Sequence, residues 1–537
     1  MNDIRTEPKK TIFALWALLL SYLGFVFLPS LYTSVLSSDV SILVSFAERV
    51  ADGMQMSKAY YDPNPPMSML IYVPVVWIAR LLDLELYRVH FFYSGFFVLL
   101  SFGLSAYLMR RMSFIDPALR QIFLMLGLFG LFVSPSIHFG DRDHLIICGL
   151  LPFILVQICL LKYIRVNKFI LVTALLLGTL GVLIKPHYGL LPTLLLAWRF
   201  WQERDWRIVL APDFMALASG VIAYAIIIAL FFSDYLTVVL PDVLSFYISL
   251  RHPIISIELT VYSMLLALVC LLAHESRQEN AQVKPVYILA FFSFIMLVVF
   301  AAQGKGLNYH RIPYLVFFYM AASGALYLFV KRFTRQSLAL IFSVFICALA
   351  LVLFRGMPKP FVTHLSFKEL PLSLALEKYC PDKEETCRYF FYHDVSETIH
   401  QLAIYHDAFH ASRFTSLWFL PVILINENLH ADGKSEQAKY TPAEIKAMKE
   451  RYTQMIVNDF QKMKPDVLLI LSGEIYDNRP FEFIDYFSYH PGFVREIQNY
   501  EQVDAFTFKR DIYYPGFTTP FSGRDPETIL IYKRQEK

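Results

Sequence analysis

The 537-residue sequence is poor in charge: Asp, Glu, Lys and Arg make up 17% of it, against 56% hydrophobic and 16% aromatic residues. A water-soluble chain carries about 25% charged residues, so this one has too few to cover a folded surface in water. The net charge is only +3, and the basic residues fall in short clusters between apolar blocks. That pattern excludes the basic stripe of a nucleic-acid partner. Cysteine is scarce, at 6 residues, and no zinc-type CxxC pair, Walker loop or dinucleotide glycine motif is found.

What is present is a series of apolar runs, each near the ~20 residues that span a bilayer. They lie near Thr11 to Tyr32, Phe91 to Met109, Leu119 to Ile137, Leu145 to Leu161, Phe169 to Ile184, Gly189 to Trp201, Phe214 to Phe232, Ile255 to Ala273, Val286 to Ala302, Ile312 to Val330 and Leu338 to Phe354. The reading is a polytopic α-helical membrane protein of about 11 spans. The first run follows Arg5, Lys9 and Lys10 without a small-residue cleavage site, which predicts a retained anchor and a cytoplasmic N-terminus. Every second connection is then basic, as at Arg110 and Arg111, Lys162 to Lys168, Arg199 to Arg207, and Lys331 to Arg335. By the positive-inside rule these are cytoplasmic. The remaining connections, rich in Asp, His and Tyr, share the extracytoplasmic face.

The stretch Met67 to Leu82 is opened by Pro65 and Pro66 and interrupted by Pro74, so it reads as a helix lying in the outer interface rather than a further span. Val40 to Val50 has helical apolar spacing and reads as its companion, making 33–88 one long outer loop. Leu236 to Leu250 reads in the same way. The membrane domain is expected over 1–354. Beyond it, over 355–537, charges return and apolar runs shorten to strand length at Arg388 to Tyr392, Val467 to Leu471 and Thr528 to Tyr532. Helical stretches alternate with them, such as Pro442 to Met463 with Thr441 as cap and Glu444 near its start. This predicts a small extracytoplasmic α/β or α+β domain. Cys380 and Cys387 share one short loop of it and invite a disulfide.

Candidate chemistry gathers in the outer connections. Asp39, just beyond the first span, can act as a general base, because partial desolvation raises a carboxylate pKa towards working pH; its alternative role is to cap the following helix. Asp62 and Asn64, in Asp62-Pro63-Asn64-Pro65-Pro66, can bind a sugar hydroxyl or a metal, or simply form a turn. Arg88 can pair with phosphate or snorkel to the interface. The segment His138-Phe139-Gly140-Asp141-Arg142-Asp143-His144 packs acids, a guanidinium and imidazoles between two spans, which is costly beside lipid unless they bind something or satisfy one another. Arg142 and His144 suit phosphate or sugar. Lys185 and His187 form one further corner. Lys305, flanked by glycines, forms another with His310 and Arg311, where backbone amides and cations can meet one anion. The alternative for both is interface anchoring. A divalent metal stays open: Asp39, Asp62 and Asp141 could gather around one, yet no spacing demands it. The spans are nearly free of ionisable residues at their centres, which disfavours an ion-coupled transporter.

Taken together, Asp39 after the first span, the Asp62 to Pro66 segment, Arg88, the Asp141 to His144 loop and the Lys305 to Arg311 corner resemble the GT-C superfamily of membrane glycosyltransferases. That group includes protein O-mannosyltransferases and the aminoarabinose transferases of lipid A. The resemblance implies an acidic catalytic residue in the first outer loop, matched by Asp39 as the base, and further site residues in the second, matched by Asp141 to His144. It implies a polyprenyl-phosphate-linked sugar as donor, and a glycan, lipid or protein hydroxyl as acceptor, at the periplasmic face of a bacterial inner membrane. A ligase or polymerase using a diphosphate-linked lipid, or a lipid-linked sugar translocator, are the competing expectations.

Overall fold

The computed structural model describes residues 7–247, 254–276, 280–355, 363–380, 386–392, 398–476, 479–508 and 527–535. Each expected span is helical. Among the described residues, 8 helices are long and apolar enough to cross a membrane: Lys9–Thr33, Leu86–Arg111, Arg142–Leu161, Pro212–Phe231, Ile254–Glu275, Gln282–Gln303, Asn308–Val330 and Gln336–Phe354. Three expected spans are shorter helices, Pro117–Val133, Lys168–Ile184 and Leu190–Glu203. The first of these stops at Val133 rather than Ile137 because Pro135, which has no amide proton for the helical ladder, follows within two residues. Its start is fixed by Asp116, whose carboxylate accepts the amides of Ala118 and Leu119.

The Arg142–Leu161 and Asn308–Val330 helices are largely buried in the bundle, whereas few residues of Pro212–Phe231 and Ile254–Glu275 are fully buried. Helices apolar all round with an exposed outer face belong in lipid. Arg142–Leu161 packs closely on Lys168–Ile184 through glycines: a Cβ on Gly149 would press on the backbone carbonyl of Leu177, and one on Gly178 on the Phe153 ring. Small residues permit this approach where no hydrophobic effect drives helices together. At the far end, Arg199 pairs with Asp213 at 3.1 Å, and Gln157 donates to the carbonyl of Pro192 at 3.0 Å.

The interfacial stretch is two helices, Met67–Leu70 and Val73–Leu82, rather than one. Pro74 explains the break, since it sits in the first turn of the second helix, where a missing N–H costs nothing. Trp77, Leu81 and Leu82 are exposed along it, as on a helix that lies in a membrane surface. The Ser38–Ala51 helix packs against it. The stretch from Leu236 is helical as far as Tyr247, and its last residues, to Leu250, lie outside the described ones.

The C-terminal part folds on β1 (Arg388–Tyr392), β2 (Phe409–His410), β3 (Val467–Ser472), β4 (Glu474–Tyr476), β5 (Arg479–Phe481), β6 (Tyr500–Phe508) and β7 (Glu527–Arg534). The main sheet has the order β2-β1-β3-β7-β6, with β1, β2 and β3 parallel and β7 antiparallel to both its neighbours. Parallel pairing needs crossovers, supplied by Ile399–His406 and then by Leu420–Ala431 and Pro442–Met463. The last has the expected capping box, Thr441 and Glu444 each satisfying the other's backbone amide. Cys380 and Cys387 are joined as a disulfide, with Cα atoms 5.5 Å apart. This unit sits on the bundle end where the polar connections gather: Arg413 donates to the carbonyl of Ser57 at 2.9 Å, and Asp242 accepts from Arg451 at 2.9 Å and from Tyr452 at 2.6 Å.

The glycine contact makes a direct prediction. Gly149→Val should force the two helices apart and destabilise the protein by about 1–3 kcal/mol, read as a lower thermal midpoint in detergent. An unchanged midpoint would contradict the close approach.

Candidate functional site

Arg142 organises the site. It is the first residue of its helix and only 3% exposed in its side chain. Its guanidinium donates to Asn64 Oδ1, to Asp39 Oδ1 at 3.3 Å and to the Tyr309 hydroxyl at 3.3 Å, with Asp141 Oδ1 3.7 Å from Nε. Its plane lies over the Tyr309 ring at 5.5 Å. Tyr309 in turn donates to Asp39 at 3.2 Å. Asp39 lies in the first turn of the Ser38–Ala51 helix, but Ser37 caps that helix by accepting the amide of Val40. The capping role open to Asp39 from sequence therefore belongs to Ser37, and the Asp39 carboxylate is turned to Arg142 instead. It keeps a 26% exposed side chain in an otherwise buried cluster.

Asp62 is buried and uses Oδ1 to accept the Asn64 amide at 2.8 Å and its side-chain nitrogen at 2.7 Å. It makes the turn that aims Asn64 at Arg142. Lys185 is also buried, paired with Asp143 at 2.5 Å and set over Tyr309 at 5.2 Å. Tyr188 donates to the same Asp143 and accepts from Gln303 at 3.0 Å. The loop is braced from behind. Gly140 donates its amide to His144 Nδ1 at 2.8 Å and its carbonyl accepts from Tyr72 at 2.7 Å. Gly140 has φ +79°, and a Cβ there would run into Ser94 and the His90 ring, so no other residue fits.

Not every expected residue joins the cluster. His144 is buried and faces Gly140 and Phe139, a brace rather than a ligand for phosphate. Arg88 lies at the surface, with Glu85 at 3.1 Å and Tyr87 at 3.2 Å. Arg311 is held by Glu258, at 2.9 Å through Nε, and by Asn308. His310 is buried edge-on against Tyr309, ring centroids 4.5 Å apart. His187 is exposed beside Tyr188, and Lys305 is half-buried in the loop before Asn308. Sequence reasoning missed Tyr309 as a site residue: an aromatic at a span end reads as an interface anchor, and its place between Asn308 and His310 was the available signal.

Burial dominates the electrostatics. It raises the pKa of Asp39, against the pull of Arg142 and Lys185 and the hydrogen bond from Tyr309. It pushes Asp141 up to about 7, with Arg142 opposing and Asp39 and Asp143 reinforcing. Asp62 is raised and Lys185 lowered for the same reason. Asp39 combines a raised pKa with a partly exposed side chain, which suits it to taking a proton from a bound group.

The cluster is also rich in negative charge, with Asp39, Asp62, Asp141 and Asp143 facing Arg142 and Lys185. Both carboxylate oxygens of Asp141 are buried without a hydrogen bond. Ligand atoms of Asp39, His138 and Asp141 lie within 4.8 Å of one another, a donor set of oxygen and imidazole nitrogen that fits a divalent cation. His138 takes the place sequence reasoning offered to Asp62, whose Oδ1 is committed to Asn64.

No protein-family model and no curated protein sequence matches the chain. Among solved structures it is similar to ArnT from Cupriavidus metallidurans in the apo state, with 14% identity and a TM-score of 0.45 over 74% of this chain and 85% of that one.

The raised pKa of Asp141 carries a sign for stability. The native carboxyl holds its proton to about pH 7 while the unfolded one releases it near 3.8, so this group's contribution to stability is lost as pH rises through that window. In chelator, Asp141→Asn should raise the thermal midpoint by roughly 2–8 °C at pH 8 and by less at pH 5. An equal gain at both pH values would contradict the assignment.

Proposed function

We propose that this protein is a membrane glycosyltransferase of GT-C type that moves a sugar from a polyprenyl phosphate to an acceptor hydroxyl, with inversion. The carrying observation is Asp39: a carboxylate of raised pKa, partly open to solvent, fixed by Arg142 and Tyr309 at one end of an apolar bundle. The donor's isoprenoid chain would lie among the spans, with its phosphate directed to the Arg142 and Lys185 side of the cluster.

In the reaction Asp39 takes the proton from the acceptor hydroxyl. The acceptor oxygen forms its bond to the anomeric carbon as the bond from that carbon to the phosphate oxygen breaks, and polyprenyl phosphate leaves with the electron pair. Arg142 is placed to stabilise the charge that develops there. A single displacement inverts the anomeric centre, as in one-step glycosyl chemistry generally. His138 and Asp141 would hold a divalent cation next to Asp39, and when bound it would supply positive charge to the cluster, while Asp39 keeps an oxygen for the acceptor proton. The positive-inside pattern supports a cytoplasmic N-terminus and a periplasmic C-terminal domain, with the reaction at that outer face. A diphosphate-linked donor, as a glycan ligase would use, suits the same cations, so the donor assay includes both classes.

The test is turnover by purified protein with polyprenyl monophosphate and diphosphate sugars. Asp39→Asn should lower release of polyprenyl phosphate by about 10²–10⁴-fold, and chelation should lower it in the wild type. Full turnover by a correctly inserted Asp39→Asn protein would disprove the assigned base. Release of pyrophosphate-linked lipid alone would favour the ligase, and binding or flipping of donor without transfer the translocator.

A further inference from the structure

The Ser38–Ala51 helix that carries Asp39 is gripped at both ends by the C-terminal domain. At its entry, the backbone of Leu36 is held from both sides by one helix of that domain: the Leu36 amide donates to the Tyr405 hydroxyl at 3.0 Å, and its carbonyl accepts from Gln401 Nε2 at 2.5 Å. Ser34, just before, forms an isolated antiparallel bridge with Thr363. At the exit, Arg49 is buried and its guanidinium donates to the carbonyls of His410 at 2.5 Å and Ser412 at 2.7 Å, at the end of β2, and to Ala59. Its charge is also covered by the rings of Phe409 at 4.5 Å and Phe46 at 5.1 Å. Midway, His400 Nδ1 lies 3.3 Å from Ser45 Oγ.

These contacts bear on one short piece of chain. Residues 34–37 link the first span to the Asp39 helix: the Ser34 amide bonds to Leu31 at 3.2 Å and the Ser37 carbonyl accepts from Ser41 at 2.9 Å, while Val35 and Leu36 between them make no helical backbone bond. Left alone, such a link would let the helix tilt or slide, and Asp39 with it. Gln401 and Tyr405 occupy both backbone polar groups of Leu36, three residues from Asp39.

We propose that the C-terminal domain is a positioning part of the reaction site, with Gln401 and Tyr405 as positioning residues that set the place of Asp39 through the Leu36 backbone. This rests on the transferase reading above for its consequence in turnover, though the clamp itself is independent of the chemistry. A displacement of about 1 Å at a reacting group can cost as much as 10²-fold in rate, so loosening the clamp should slow the chemical step without weakening donor binding.

The experiment combines two readouts on the full-length protein in detergent with Gln401→Ala and, because that change could disturb packing, the milder Tyr405→Phe. Hydrogen exchange across residues 34–44 should quicken in both variants while exchange across β1 and β3 stays as in the wild type. With a monophosphate donor, kcat should fall about tenfold in Gln401→Ala at unchanged donor KM. Faster exchange in both variants, together with a wild-type protein that transfers no sugar at all, would sustain the clamp and remove the transferase reading. Unchanged exchange in both variants, or unchanged kcat in an active enzyme, would overturn the proposal.

Discussion

The guanidinium of Arg142 is the constraint on which the rest of the site depends. A charge at the head of an apolar helix is tolerable only if nearly every donor finds a partner. Here those partners come from four separate parts of the chain: Asp39 from the first loop, Asn64 from the proline-rich turn, Tyr309 from a later helix and Asp141 from its own loop. Satisfying one buried cation therefore draws together segments that lie up to 270 residues apart in sequence. The same requirement explains why Asp62 is buried, since it holds Asn64 in the only orientation that serves Arg142.

Lys185 and Asp143 form a second, adjacent pair, and the two cations still leave the cluster short of positive charge. Desolvation then raises the pKa of Asp39 and of Asp141. That is unfavourable for folding and favourable for proton transfer, the usual opposition between stability and a working site. The glycine at position 140 and the bracing of its loop by Tyr72 and His144 hold the loop in that arrangement by leaving it no room to relax.

Much of the architecture was legible because it follows from local rules. Apolar length located the helices, and Thr441 with Glu444 announced the long helix of the C-terminal domain at its true start. Strand-length runs at Arg388 and Val467 marked two neighbours of the sheet. The chemistry was legible at the level of the loops, less so at the level of side chains. Asp39 and Arg142 could be named from their unusual settings, but nothing in a one-dimensional pattern says that Arg142 faces Asp39 while Arg311 faces Glu258. Tyr309 was hidden by its type, since tyrosines at span ends are common. His144 and Arg88 looked equivalent to the clustered residues and differ only in which way the backbone turns them.

The most direct measurement is an electron cryomicroscopy structure of the protein with a non-transferable polyprenyl phosphonate sugar. Phosphonate density is expected in contact with the Arg142 and Lys185 side of the cluster, with the anomeric carbon between it and Asp39. Phosphonate bound out of contact with Arg142, or a sugar turned away from Asp39, would contradict this placement.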